Sequence, residues 1–193
     1  MKKRLLITGF DPFGGSDINP AWEAVRLLPE QIGPFRLHKL QIPTRFRDAA
    51  LQVLEEADRC GPDVILCIGQ AGGRAAVTPE RVAINLRDAR IPDNGGCQPR
   101  EEPIDPSGPA AYFATVPVTK MAEAIFARGL PGAISNTAGT FVCNETLYLL
   151  LQHYNQTPVR VGFIHVPFLP EQGTPHLSPE QTVSALTAAI EAL

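Results

Sequence analysis

Three side chains sit where they could carry acyl-transfer chemistry: Cys143, His165 and Glu80. Cys143 follows a run of small residues, Ser135-Asn136-Thr137-Ala138-Gly139-Thr140, that reads as a turn leading from a strand into a helix. With Thr140 as N-cap, Cys143 falls in the first helical turn, where unpaired backbone N–H groups and the helix dipole favour an anion. The expectation is a thiol with a depressed pKa, beside N–H groups able to hold a tetrahedral oxyanion. A free cysteine is as readily a small buried hydrophobe, so position alone leaves these two readings level.

His165 closes the apolar run Val161-Gly162-Phe163-Ile164, and an imidazole at the carboxyl end of a strand is suited to accept a thiol proton. The alternative is a histidine satisfied by a backbone carbonyl at a sheet end. His38, His153 and His176 lack this setting. Glu80 stands just before an expected strand. Beside the histidine it would fix the tautomer and support the imidazolium; elsewhere it would be a solvated carboxylate. Cys67 lies mid-strand and reads as core, while Cys60 and Cys97 have no catalytic setting.

The elements that must position these groups alternate. Strands are expected over 4–10, 35–42, 63–69, 81–90, 132–136 and 159–165. Helices are expected over 20–28, 44–60, 119–128 and 141–154, with a last one opened by the capping-box arrangement Ser178-Pro179-Glu180-Gln181. Residues 91–109, rich in Pro, Gly, Asp and Glu, read as an irregular excursion of the kind used in function or assembly. The sum is α/β: a single domain over 1–193, an open α/β/α sandwich with a mostly parallel or mixed twisted sheet. Ligands bind such sheets in the loops at strand carboxyl ends, which singles out 10–19, 69–80 and 137–143.

Composition narrows the function class. A net charge of −3, with no basic stretch beyond Lys2-Lys3-Arg4, gives no footprint for nucleic acid or an anionic membrane. No apolar run approaches the roughly 18 residues that span a bilayer. The N-terminal apolar run is too short for a signal segment, so the expected location is cytosolic. Four cysteines without C-x-x-C spacing argue against a disulfide scaffold and against dithiol redox chemistry.

Several segments together resemble one family. They are Gly9-Phe10-Asp11-Pro12-Phe13-Gly14-Gly15, Asn19-Pro20-Ala21-Trp22, Pro79-Glu80-Arg81, Asp88-Ala89-Arg90-Ile91-Pro92-Asp93, the Ser135–Asn144 stretch and His165-Val166-Pro167-Phe168-Leu169-Pro170. Their pattern is similar to that of pyroglutamyl peptidase I (pyrrolidone carboxyl peptidase) of the bacterial type. The resemblance implies a Cys143–His165–Glu80 triad, Arg90 beside the thiol, and a lactam slot among Phe10, Phe13, Ile91, Phe141 and Val142. It implies Gln70 and Asn19 at the polar edge of the ring, peptides with N-terminal pyroglutamate as substrates, and a homotetramer or homodimer. No metal or cofactor is implied.

The chemistry of the ring agrees with such a slot. Pyroglutamate is a flat neutral lactam, suited to aromatic walls and to one or two amide partners at its edge. A site that bonds the ring carbonyl should reject proline, which lacks it. The same sandwich also resembles purine nucleoside phosphorylases, with Gly69-Gln70-Ala71-Gly72-Gly73-Arg74 as a weak phosphate loop. A binding protein that uses Cys143 is a further alternative.

Overall fold

The computed structural model describes residues 2–193. In chain order its first elements are β1 (Lys3–Phe10), α1 (Pro20–Leu27), β2 (Gln31–Ile32), β3 (Phe35–Ile42), α2 (Asp48–Cys60) and β4 (Val64–Gln70). There follow β5 (Thr78–Pro79), β6 (Val82–Ile84), β7 (Ala111–Phe113), α3 (Val118–Ala127), α4 (Val142–His153), β8 (Arg160–Val166) and α5 (Pro179–Glu191).

One six-stranded sheet runs β2-β3-β1-β4-β8-β5. Its four inner strands are parallel, and β2 and β5 close the edges as antiparallel additions. The continuous apolar run Val64-Ile65-Leu66-Cys67-Ile68 occupies a central strand with both faces covered, as parallel sheets require. Alternation along the strands sorts the core. Leu5, Ile7, Leu66, Ile68, Ile164 and Val166 face the layer of α1, α3 and α5. Leu6, Ile65, Cys67, Val161 and Phe163 face α2 and α4. The same parity carries Gly69 and His165, paired across β4 and β8, onto the α4 side. No helix among the described residues is long and apolar enough to cross a membrane.

The α/β/α architecture is as expected, with local differences. The expected strand over 81–90 shrinks to β6, which pairs with β7 in a separate two-stranded sheet. Beyond Ile84 the chain instead bonds to the returning excursion, with Arg87 and Glu102 exchanging backbone hydrogen bonds. Residues 132–136 form no strand; they make isolated bridges, Val77 with Gly132 and Glu80 with Ser135. The N-cap of α4 is Phe141, without a side-chain cap, and not Thr140, whose Oγ1 donates to the Asp88 carbonyl (2.8 Å). Ser178 forms the capping box expected of α5.

One buried side chain fastens the small sheet to α4. Asn144 accepts from Ile84 N (2.9 Å) and donates to the carbonyls of Ile84 (2.8 Å) and Leu86 (3.1 Å), acting as a short strand partner. Asn144→Ala leaves the Ile84 N–H and the Leu86 carbonyl without partners, and it should lower unfolding free energy by about 1–3 kcal/mol. Urea denaturation measures this, and a loss below about 0.5 kcal/mol would show that water replaces the amide.

Candidate active site

Glu80 lies directly after β5, and the antiparallel pairing of β5 with β8 sets Thr78 opposite His165. The Glu80 backbone donates to the Phe163 carbonyl (2.9 Å), so the carboxylate is carried alongside the end of β8. Glu80 has no exposed surface and His165 only 4%. His165 Nδ1 lies 2.7 Å from Glu80 Oε1. Arg74 Nη1 donates to the same oxygen (2.6 Å), and its Nη2 donates to the Thr137 carbonyl (2.8 Å).

Burial alone would raise the Glu80 pKa. The hydrogen bond and charge of His165, with Ser135 and Arg74, outweigh it and hold the carboxyl below its ordinary value. An ionised Glu80 can only accept, so Nδ1 of His165 is the donor, and in the neutral ring the lone pair falls on Nε2.

Cys143 occupies the second position of α4. A methyl group built on Gly69 would stand 3.0 Å from Cys143 Sγ and 2.8 Å from the Phe163 ring. The thiol therefore rests on the bare backbone of the residue paired with His165. Any larger residue at 69 would displace the thiol or the Phe163 ring. The expected depression of the thiol pKa is not found. Burial, then the negative charge of Glu80 and the neighbouring Cys67, push it up to about 12, against smaller opposing effects of Arg74 and the Cys143 backbone N–H.

A cleft of about 690 Å³ opens at the end of β4, lined by Phe13, Gln70, Ile91, Phe168 and Gln172 among others. Phe141 packs against Phe13 (6.1 Å between centroids) and edge-on against Phe46 (5.3 Å). Phe10 and Val142 are buried beneath, at 1% and 0% exposure, with Phe10 against Phe163. Asn19, expected at the ring edge, is 1% exposed and is committed to capping α1 and to the Asp11 carbonyl. Of the two polar residues expected at the ring edge, Gln70 is the one that lines the cleft. Arg90 is exposed, and among the described residues its guanidinium has no hydrogen-bonded partner.

The excursion is ordered by side chains that sequence reading did not single out. Asp93 accepts from Phe46 N, Gly95 N and Cys97 N, each at 2.8 Å. Asn94 donates to Asp11 Oδ1 (3.1 Å) and the Pro12 carbonyl (2.8 Å), while Asp11 Oδ1 accepts from Thr44 N (2.6 Å). Three distant segments are thereby tied around Phe13 and Phe46. Arg74 was legible only as the end of a Gly-rich loop; its carboxylate partner is a fact of tertiary structure.

The whole sequence from residue 3 to 193 matches the pyroglutamyl peptidase family. A pyrrolidone-carboxylate peptidase of Levilactobacillus brevis is 54% identical over 198 residues, covering 98% of this chain and 97% of the relative. The crystal structure of pyroglutamyl peptidase I from Bacillus amyloliquefaciens superposes with a TM-score of 0.95 at 47% identity, covering 98% of this chain and 96% of that one. Pyrrolidone carboxyl peptidase from Thermococcus litoralis superposes at 0.93 with 33% identity, covering 98% and 92%. Family and fold agree, and the chain belongs to the pyroglutamyl peptidases, cysteine-type hydrolases that remove N-terminal pyroglutamate.

Proposed function

We propose that Cys143, His165 and Glu80 perform this hydrolysis as nucleophile, general base and orienting carboxylate. The observation that carries the reading is the Glu80–His165 bond, which makes Nδ1 the donor and Nε2 the basic nitrogen of the neutral ring, on the side of the sheet where the thiol sits over Gly69. As Cys143 Sγ attacks the pyroglutamyl carbonyl, its proton passes to His165 Nε2. The free N–H groups of the uncapped first turn of α4 hold the oxyanion, assisted by the unpaired guanidinium of Arg90. His165 then returns the proton to the departing amine, leaving a thioester. Water, losing a proton to the same nitrogen, cleaves the thioester and frees pyroglutamate and the thiol.

Phe13, Ile91 and Phe141 form the faces of the ring slot in this reading, Phe10 and Val142 its floor, and Gln70 its polar edge. Asn19 acts from behind by holding the Asp11 loop. The residues 1–193 act as one catalytic domain. A reducing cytosol suits the four free cysteines. Assembly into a homodimer or homotetramer is supported by large apolar side chains left exposed, Phe113 at 69% and Phe126 at 73%.

Release of a fluorescent amine from a pyroglutamyl anilide tests the roles. Wild type should cleave it and leave the prolyl anilide intact, and Cys143→Ala should lose at least roughly 10³-fold in kcat/KM. An active Cys143→Ala protein would remove the nucleophile from this account. Glu80→Gln should cost roughly 10²–10⁴-fold in kcat, because an amide no longer supports the imidazolium.

The same groups set a pH profile of stability. Glu80, held below its ordinary 4.5, contributes stability that is complete above that value and is lost as pH falls beneath it. Cys143, pushed up to about 12, contributes stability that is complete below its ordinary 9.0 and is lost as pH rises past it. Denaturant titrations across pH should show a weaker acid decline in Glu80→Gln and a weaker alkaline decline in Cys143→Ala. The alkaline effect is partial, since Cys67 is also pushed up to about 12. Unchanged limbs would refute these assignments. Sedimentation equilibrium should give a dimer or tetramer for wild type and a smaller species for Phe126→Asp; a monomeric wild type would end the assembly proposal.

A further inference from the structure

The cleft wall contains two carboxamides whose orientations follow from fixed backbone partners. The Leu169 N–H, which can only donate, meets Gln172 Oε1 at 3.0 Å. The Ile18 carbonyl, which can only accept, lies 3.3 Å from Gln172 Nε2. A flipped Gln172 would set donor against donor and oxygen against oxygen, so its orientation is fixed. Ser16 Oγ, 3.2 Å from the same Nε2, is itself turned to donate to the Ile18 carbonyl (2.9 Å).

Gln172 Nε2 also lies 3.1 Å from the end of the Gln70 side chain. The Gln70 atom that meets an N–H must be its oxygen. Its Nε2 is therefore turned away from Gln172, and among the described residues it bonds to no protein group. Both glutamines line the cleft, so what Gln70 leaves uncommitted there is its pair of N–H donors.

We propose that Gln172 is a specificity-determining positioning residue: it holds Gln70 Oε1 and thereby presents the Gln70 N–H donors to the ring carbonyl of the lactam. The proposal rests on the reading of Gln70 as the polar edge of the slot. A free Gln70 amide could turn either end to the cleft, and half its orientations would set oxygen against the ring carbonyl. Held by Gln172, it selects a ring bearing an acceptor, and a ring without one leaves the donors unpaired.

A double-mutant cycle separates this action from a simple bracing of loops. The readout is the inhibition constant of 2-pyrrolidone, the lactam ring without its peptide arm, against the pyroglutamyl anilide. Gln172→Met should weaken 2-pyrrolidone about tenfold, the loss of one oriented hydrogen bond. In a Gln70→Leu background the same substitution should change the constant less than about twofold, because there is no amide left to orient. A full loss repeated in that background, or no loss in the wild-type background, overturns the proposal. A Gln70→Leu protein that binds 2-pyrrolidone as wild type does overturns it at its premise, because Gln70 then does not meet the ring. If Gln172→Met does not fold, Gln172→Glu keeps the acceptor for Leu169 N–H but has no N–H for Gln70. It should give the same loss and the same dependence on Gln70.

Discussion

A carboxylate without exposed surface meets an imidazole and a guanidinium through a single oxygen, and much of the chain serves to make that contact possible. The other oxygen, Glu80 Oε2, is buried with no partner. Leaving a carboxylate uncompensated inside a protein costs several kcal/mol, so Oε1 must be served well. His165 reaches it from β8. Arg74 reaches it from the loop after β4 and bonds Thr78 and Ser135 as well. Two residues of β5 at the sheet edge suffice to set the register that brings Glu80 beside His165. The guanidinium also grips the Thr137 carbonyl, in the turn that leads to Cys143. Charge balance at Glu80 thus couples the segments that carry the candidate reacting groups.

The slot is governed by a different economy. Its faces come from residues far apart in sequence, and charge is kept in the supports behind them. Asp11 and Asp93 spend their carboxylates on backbone N–H groups, and Asn94 joins the excursion to the Asp11 loop. In the proposed slot the faces offered to the ring are aromatic and apolar, with an amide at the edge, while Asp17 and Glu171 also line the cleft.

The legible part of this protein was the part written in local sequence. Continuous apolar runs gave the inner strands, Ser178-Pro179-Glu180-Gln181 the last helix, and the residues around Cys143 and His165 the candidate reacting groups. What escaped depends on partners distant along the chain. Arg87 leaves the expected strand over 81–90 because Glu102 waits in the excursion, which no period could reveal. Asn19 before Pro20 is legible as the N-cap of α1, but the bond of its amide nitrogen to the Asp11 carbonyl is not written in local sequence. Arg74 and Gln172 act through Glu80 and Gln70, and side-chain pairs of that kind leave no spacing to read.

The thiol exposes the limit of reasoning from a helix terminus. Proximity to the N-terminus of a helix is worth roughly 0.3–1 kcal/mol, less than about one pKa unit, while full burial can shift a group by about 3–5 units. At Cys143 the terminus loses, and the thiol stands at about 12. A resting thiolate is therefore not stored at this site. In the proposed triad the nucleophile forms as the substrate arrives, by passing its proton to a nitrogen already in place. That requirement explains why the imidazole cannot be left to find its own orientation. The proton can leave a thiol so disfavoured only if the cation it creates is born against a carboxylate, and Glu80 is buried at the one position where that cation forms.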